Sequence, residues 1–292
     1  MKPPPFDYTA PGTVPEALAA LAEGGKVLAG GQSLIPLLTM RLAAPDRLVD
    51  INRVAGLDTL EVTAAGVRVG ALTRHARVER SAEAAAAQPL LRQALRHVAH
   101  PVIRNRGTVV GSLAHADPAA ELPAVLALLG GTVEAASTAG RRTVAADGFF
   151  LGPLESALTP GELAVSAFFP ALPPQTGTAF TEVARRHGDY ALAGVAALVA
   201  LDDDLRVRDA RVACLGVGDT PVVVDLAEPA AQGQAGRPPG DCDWGPAGEC
   251  AAARVDPDGD IHAGADYRRH LVGVLTRRAL AEAARNALPG ER

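Results

Sequence analysis

Cysteine is scarce in this chain, and its spacing argues against several kinds of metal site. The three cysteines are Cys214, Cys242 and Cys250. They are too few for a disulfide scaffold, and none belongs to a Cys-x-x-Cys pair of the type that binds zinc or an iron–sulfur cluster. We therefore predict that the chain itself holds no metal. Aromatic residues make up only 3% of the sequence, so its core must be built from alanine, valine and leucine.

A basic excess and a long apolar run are also missing. The net charge is −5 and the arginines are scattered along the sequence among acidic residues, whereas a nucleic-acid-binding protein carries a basic stripe. No stretch reaches the ~20 charge-free apolar residues of a membrane span. Prolines interrupt residues 1–25, where a signal peptide needs an apolar run. We expect a cytoplasmic protein with no membrane span and no nucleic-acid partner.

The pattern along the first 174 residues predicts strands that alternate with helices. Residues 33–42 predict a short helix, and the alanine-rich residues 78–100 predict a longer one that is interrupted at Pro89. Residues 131–146 predict a hairpin. With 292 residues, 48% of them hydrophobic, the chain is long enough for one large domain or two ordinary ones.

The pattern changes after Pro174, and we place a domain boundary near residue 170. Residues 189–218 fit a helix or a strand that is followed by a turn and alternating strands. Residues 225–260 are rich in glycine, proline and aspartate, which predicts a loop. Residues 266–288 predict an amphipathic helix.

The first candidate site is the stretch LAGGQSLIP at residues 28–36. A predicted strand leads into Gly30 and Gly31, and a helix opens near Ser33. Glycine allows a ligand to approach the backbone closely, and the amides of a first helical turn attract an anion, with Ser33 as the predicted cap. The stretch fits a phosphate cradle, but also an ordinary tight turn. It matches neither the GxGxxG pattern nor the P-loop.

The second candidate site begins the stretch GTVVGSLAHADPAAELPAVLALLGG at residues 107–131. Gly107 and Gly111 bracket three residues, and Thr108 and Ser112 add hydroxyl groups beside the glycine backbone. Two such loops, about eighty residues apart in the sequence, suit a ligand with two phosphates. The pattern therefore favours a dinucleotide that is bound outside a Rossmann fold.

The same stretch predicts a helix that begins just after the loop. Asp117 is placed as its N-cap and Pro118 as its first residue. Glu121 would then lie one turn into the helix, where it either favours the helix dipole or accepts hydrogen bonds from a ribose hydroxyl. His115 is either a ligand or acid–base group, or a structural histidine. The spacing leaves both pairs of alternatives open.

Four segments together resemble one known family. They are AGGQSLIPLLTMRLAAPDRLVDINRV at 29–54, HVAHPVIRNRGTVVGSLAHADPAAELPAVLALL at 97–129, VARRHGDYALAGVAA at 183–197 and DYRRHLVGVLTRRAL at 266–280. The chain resembles the FAD-binding medium subunit of molybdenum hydroxylases, of the aerobic carbon monoxide dehydrogenase and xanthine dehydrogenase type. The likeness covers nearly the whole chain.

The resemblance implies an α+β fold. Residues 1–170 would form an FAD-binding domain of the vanillyl-alcohol-oxidase (PCMH) type, made of two α/β subdomains at about 1–55 and 56–170, the second with a mixed sheet. Residues 171–292 would form a C-terminal α+β domain with a three-stranded antiparallel sheet and helices.

The resemblance also implies the residues that bind FAD. Ala29, Gly30, Gly31, Gln32 and Ser33 would form the first pyrophosphate loop, and Thr108, Val109, Val110, Gly111 and Ser112 the second. Glu121 would lie near the adenosine end, Val98 at an apolar contact with the flavin, and Tyr190 against the isoalloxazine ring.

Three residues depart from the family pattern. Val110 stands where the second loop usually has glycine, and its side chain would either crowd a phosphate or force a small shift of the backbone. Glu121 is one methylene longer than the usual aspartate. Glu182 stands where relatives often carry lysine, and the loss of a cation near the flavin would make its reduction less favourable.

The family divides its chemistry among chains. A molybdenum-cofactor large subunit oxidises the substrate, and a two-iron two-sulfur small subunit relays the electrons. The resemblance implies that this chain carries the FAD and passes the electrons to an external acceptor, in a heterotrimer that pairs into a dimer. No side chain is predicted as a catalytic acid or base. The alternatives are a self-sufficient flavin-dependent oxidoreductase of the same fold and a flavin-free scaffold subunit.

Overall fold

A computed structural model gives the fold and describes residues 2–234 and 238–288. The N-terminal part is a three-stranded parallel sheet with the strand order β1-β3-β2 and two helices. The carboxylate of Glu16 accepts a hydrogen bond from the amide of Thr13, whose hydroxyl accepts one from the amide of Glu16, so this capping box fixes the start of α1. The predicted small α/β part is confirmed. Its elements are β1 (Asp7–Thr9), α1 (Val14–Ala22), β2 (Lys26–Leu28), α2 (Leu34–Thr39) and β3 (Arg47–Asp50).

The second part contains a five-stranded sheet and six helices among its described elements. The strand order is β4-β5-β10-β6-β7, and every neighbouring pair is antiparallel. The prediction of a mixed sheet is therefore wrong: β4–β5 and β6–β7 are tight hairpins, whose strands must run in opposite directions. The elements are β4 (Leu60–Thr63), β5 (Gly66–Gly70), α3 (His75–Arg80), α4 (Ala82–Ala87), α5 (Pro89–Leu95), α6 (Pro101–Arg104), α7 (Val109–His115), α8 (Glu121–Leu129), β6 (Thr132–Ser137), β7 (Gly140–Ala145), β8 (Phe150–Gly152), β9 (Glu155–Ser156) and β10 (Leu163–Pro170).

The helical segment breaks more often than its alanine content indicates. The predicted interruption at Pro89 is confirmed, because Pro89 begins α5. A second break lies at Ser81, whose hydroxyl accepts a hydrogen bond from the amide of Ala84 and caps α4. Side-chain capping of this kind competes with continuation of the preceding helix.

The predicted start of α8 is wrong by three residues. Its first residue is Glu121 rather than Pro118, and Asp117 is not its N-cap. The carboxylate of Asp117 accepts a hydrogen bond from the amide of Ala119 at 2.9 Å, and its carbonyl accepts one from the amide of Ala120 at 3.0 Å. These two bonds close a separate turn before the helix, which places Glu121 at the helix start instead of one turn inside it.

The C-terminal part packs a sheet against a long helix. The sheet has four antiparallel strands rather than the predicted three, since Val222–Asp225 pairs with the edge of the preceding strand. The predicted helix at 266–288 is confirmed as Ala265–Ala287. The elements are β11 (Thr176–Ala184), β12 (Ala191–Leu201), β13 (Val207–Leu215), β14 (Val222–Asp225), α9 (Ala227–Gln234), α10 (Gly245–Ala253) and α11 (Ala265–Ala287).

All eleven residues of β12 are buried. Ala193, Val195 and Ala197 belong to a core shared with α11, while Ala196 and Leu198 belong to the main core, which fills the first two parts of the chain. The sheet therefore lies between helices of both parts. Its small side chains let the helices approach closely. The sequence left open whether the first part of residues 189–218 forms a helix or a strand, and the structure shows the strand β12 there.

The loop predicted for residues 225–260 is wrong at 227–234 and 245–253, where α9 and α10 lie, and is confirmed at 254–260. Residues 235–237 fall outside the described chain. A side chain at Gly248 would lie 2.7 Å from the carbonyl oxygen of Gly273 in α11. Glycine thus permits close helix packing, and that tertiary contact overrides the low helix propensity of the segment.

Candidate functional site

The first glycine loop joins β2 to α2 and touches the second loop directly. A side chain at Gly30 would run into the carbonyl oxygen of Arg106 and lie 2.8 Å from the Cα of Gly107. Gly31 has a φ of +73°, in the left-handed region that favours glycine. The two candidate sites, separated by about eighty residues in the sequence, therefore form one site in the fold.

The first loop presents unpaired backbone amides. In the part of the chain that the structure describes, the amides from Gly30 to Ser33 have no hydrogen-bond acceptor. The predicted cap by Ser33 is wrong, because this residue has a helical backbone and its hydroxyl makes no capping bond. That hydroxyl is left for another partner. Successive unpaired amides of this kind accept an anion.

The second loop is the first turn of a short helix, α7. The hydroxyl of Thr108 accepts a hydrogen bond from the amide of Gly111 at 3.1 Å, and its carbonyl accepts one from the amide of Ser112 at 3.0 Å. The amide of Val110 has no acceptor among the described residues. The loop is therefore rigid, with a free amide beside a free serine hydroxyl.

Val110 does not crowd the site. Its side chain is 2% exposed and packs in the main core, as does the side chain of Val109. Only the backbone of these residues remains for a ligand. The valine therefore adds core packing and leaves the space between the loops free of its methyl groups.

Two side chains that the sequence analysis missed tie the loops together. The amide nitrogen of Asn52 donates to the carbonyl of Ala29 at 2.8 Å, in the first loop. The guanidinium of Arg74 donates to the side-chain oxygen of Asn52 at 2.7 Å and to the carbonyl of Arg106, next to the second loop. We call this chain of contacts the Asn52–Arg74 bridge. Asn52 lies in the segment that carries the family resemblance, whereas no local signal pointed to Arg74.

The Asn52–Arg74 bridge is itself held by a carboxylate. Asp50 accepts hydrogen bonds from the side-chain amide of Asn52 at 2.6 Å and from the hydroxyl of Tyr8 at 2.6 Å. Burial raises the pKa of Asp50, but these hydrogen bonds outweigh it and hold the pKa below its usual value. Asp50 is therefore ionised at neutral pH and fixes the orientation of the Asn52 amide.

His75 lies beneath the second loop. A side chain at Gly107 would come within 3.1 Å of its ring, so this position needs a residue without a Cβ. Burial, together with the nearby charges of Arg104 and Arg74, lowers the pKa of His75 to about 4, against the opposing effect of a hydrogen bond with the backbone of Thr108. The ring is thus neutral and supports the loop by packing.

The predicted residues Glu121 and Tyr190 share an acidic region with Glu182 and Asp117. Burial raises the pKa of Glu121 to about 8, and the charge of Glu182 adds to the effect. Desolvation, together with the carboxylates of Asp117 and Glu121, raises the pKa of the Tyr190 hydroxyl, although the residue is 67% exposed. Glu121 therefore holds a proton at neutral pH, beside an open tyrosine ring.

Glu182 joins the two parts of the molecule, and Val98 lies close to that contact in the sequence. Glu182 in β11 pairs with His97, which follows α5, at 3.5 Å between Oε1 and Nδ1. Val98 is buried in the main core, and its carbonyl accepts a hydrogen bond from Arg104 at 2.9 Å. Glu182 thus has a partner across the interface.

The site has the chemistry of a dinucleotide cradle and lacks that of a metal centre. Two rigid loops with unpaired amides meet, as two linked phosphates require. Among the described residues no group of three or more histidine, cysteine or acidic side chains is arranged to hold a metal, and no described helix is long and apolar enough to cross a membrane. The site defines a class of protein that binds a dinucleotide without a Rossmann fold.

Comparisons with known proteins agree along the chain. Residues 4–172 match the model of the FAD binding domain in molybdopterin dehydrogenase, and residues 178–283 match that of the CO dehydrogenase flavoprotein C-terminal domain. The chain is 42% identical to 6-hydroxypseudooxynicotine dehydrogenase complex subunit alpha of Paenarthrobacter nicotinovorans, over 99% of this chain and 98% of that one.

Two solved structures share the whole fold. Carbon monoxide dehydrogenase from Hydrogenophaga pseudoflava matches with a TM-score of 0.89 at 35% identity, over 98% of this chain and 99% of that one. Quinoline 2-oxidoreductase from Pseudomonas putida 86 matches with a TM-score of 0.89 at 37% identity, over 99% and 100%. The chain belongs to the family of FAD-binding flavoprotein subunits of molybdenum-dependent dehydrogenases, so the resemblance and the FAD cofactor predicted from the sequence are confirmed.

Proposed function

We propose that this chain binds FAD between the two glycine loops and transfers electrons from an iron–sulfur subunit to an external acceptor. The observation that carries the proposal is the direct contact of the loops at Gly30, with unpaired amides on both sides. When bound, the isoalloxazine supplies the redox chemistry. The protein binds the cofactor, orients it and tunes its surroundings.

The proposed binding residues act mostly through their backbone. Ala29, Gly30, Gly31, Gln32 and Ser33 would hold one phosphate, and Thr108, Val109, Val110, Gly111 and Ser112 the other. Val98 and Tyr190 would lie near the flavin ring. Glu121 is predicted at the adenosine end, but its electrostatic interaction with Tyr190 favours a place nearer the ring.

The assembly is proposed from the relatives. One relative is named as a subunit of a dehydrogenase complex, and others as medium chains. We infer a heterotrimer with a molybdenum-cofactor large subunit and a two-iron two-sulfur small subunit, paired into a dimer. The cytoplasmic location and the domain division at residue 170 stay parts of the proposal.

A visible absorption spectrum of the purified chain, followed by release of the cofactor on heating, tests the proposal. We expect a flavin spectrum that yields FAD. Gly30→Ala should abolish it, because the added Cβ runs into Arg106. Gly148→Ala is a matched control, since a Cβ there meets nothing within 4 Å. A wild-type chain that stays colourless with added FAD and partners would contradict the proposal.

One observation favours the alternative of a self-sufficient flavin oxidoreductase. Such an enzyme needs its own proton donor, and Glu121 holds a proton at neutral pH beside Tyr190. Turnover of a reduced nicotinamide nucleotide by the isolated FAD-loaded chain, lost in Glu121→Gln, would support it. A flavin-free scaffold predicts instead a colourless chain that still assembles.

A further inference from the structure

Six arginines converge on one surface groove next to the second glycine loop. A cavity of about 350 Å³ lies between α3, α5 and α6 and is lined by Arg80, Arg92, Arg96 and Arg104. An adjoining cavity of about 500 Å³ adds Arg74 and Arg77, and shares Arg80 and Asn105 with the first. We call the two cavities together the arginine groove.

The charge of the arginine groove is only partly balanced. Glu79 accepts hydrogen bonds from Arg104 at 2.8 and 3.3 Å, and Asp58 lies 3.9 Å from Arg77. Among the described residues, no carboxylate lies within ion-pair distance of the other four guanidinium groups. This positive surface contrasts with the net charge of −5 of the whole chain.

The groove is held in shape before any partner arrives. Arg92 donates to the carbonyls of Glu79 and Ser81, both at 2.9 Å. These bonds fix the guanidinium without neutralising it. Arg80 and Arg96 are exposed and have no acceptor in the described chain. A prearranged guanidinium with free donors favours a carboxylate, which it binds through two parallel hydrogen bonds.

The edge of the arginine groove favours a protein over a small anion. Val102, next to the lining residue Pro101, is 69% exposed. A site for a small anion gains nothing from an exposed apolar side chain at its edge. A protein interface combines both features, since arginine is enriched there beside apolar contacts.

The position of the groove indicates which subunit docks there. Arg74 belongs both to the groove and to the Asn52–Arg74 bridge, so a chain bound in the groove lies beside the loops that hold FAD. The subunit that donates electrons must come close to the flavin, and the lining residue Arg104 donates to the carbonyl of Val98, the residue proposed to contact the flavin. We propose that the arginine groove is the docking surface for an acidic segment of the iron–sulfur subunit. This inference rests on the proposed function.

Charge reversal in the assembled complex tests the proposal. The variant is Arg80→Glu with Arg96→Glu, two residues outside the cofactor loops. The control is Arg206→Glu with Arg208→Glu, which makes the same charge change on two exposed residues, one in the β12–β13 turn and one in β13. Each variant is co-expressed with its two partner subunits. Native mass spectrometry then reports which subunits remain in the complex, and the flavin absorbance reports how much FAD is bound.

We expect the groove variant to keep its FAD and to bind the iron–sulfur subunit at least tenfold more weakly, while the control complex stays intact. Higher salt should weaken the wild-type contact as well. The docking proposal would be overturned if the groove variant kept the iron–sulfur subunit, or if the control variant lost that subunit equally. Loss of the molybdenum subunit alone would also overturn it. A wild-type complex without FAD would overturn the proposed function itself.

Discussion

The Asn52–Arg74 bridge allows a direct test of how the two glycine loops cooperate. Arg74→Ala removes the hydrogen bonds to Asn52 and to the carbonyl of Arg106, while both loops keep their sequence. Hydrogen bonds to a charged group contribute about 1.5–3 kcal/mol each, less where water reaches them. If the loss of this preorganisation costs about 2–3 kcal/mol of binding free energy, FAD binds roughly 30- to 150-fold more weakly.

The assay is titration of the FAD-free chain with FAD, followed by quenching of flavin fluorescence. Arg77→Ala is the control, because Arg77 lies in α3, three residues after Arg74, but donates to the carbonyl of Asp58 and touches neither loop. Asn52→Ala should weaken binding as Arg74→Ala does, and the double variant should add little, since both changes break one bridge.

Two results would refute this reasoning. If Arg74→Ala bound FAD within twofold of the wild type, the loops would hold their geometry without the bridge. If Arg77→Ala weakened binding equally, the effect would come from the positive charge of the surface and not from the contact with Asn52.

Three further predictions follow from buried groups. The pKa of Glu121 is about 8 in the fold against a usual 4.5, so its protonated form contributes stability that is present at low pH and lost as the pH rises toward 8. Glu121→Gln should therefore flatten the fall in the free energy of unfolding between about pH 5 and 8. Denaturant unfolding with the same pH dependence in this variant and the wild type would contradict this. Val110→Gly should lower that free energy by about 2–4 kcal/mol through lost core burial and an added helical glycine, without tighter FAD binding in the same titration; tighter binding would mean that valine does crowd the phosphate. Gly177→Ala should lower the melting temperature far more than Gly148→Ala, because its Cβ would run into the backbone of α11 at Ala283; equal melting temperatures would show that α11 can shift.

Local sequence patterns predicted those parts of the fold and of the site that depend only on residues adjacent in the sequence. The paired glycines of the first loop, the hairpin at 131–146 and the C-terminal helix each follow from a few adjacent residues. The start of α8 failed for a local reason too: an Asp-Pro sequence can cap a helix or close a turn, and the carboxylate of Asp117 does the latter.

Contacts between distant residues could not be predicted in this way. Asn52 follows β3 and Arg74 precedes α3, and they meet only because the fold brings these two ends together across the two parts of the FAD-binding region. The arginines between residues 74 and 104 look scattered in the sequence, yet α3, α5 and α6 gather them into one groove. Pairing of Glu182 with His97 likewise depends on the packing of β11 against α5.

The complete burial of β12 has a consequence for dividing this protein. One face of the strand completes the core of the flavin-binding part and the other completes the core under α11. A chain cut at residue 170 would leave the first fragment with an exposed apolar surface and the second with a sheet covered on one side. We therefore expect neither fragment to be stable alone and the two parts to unfold as one cooperative unit.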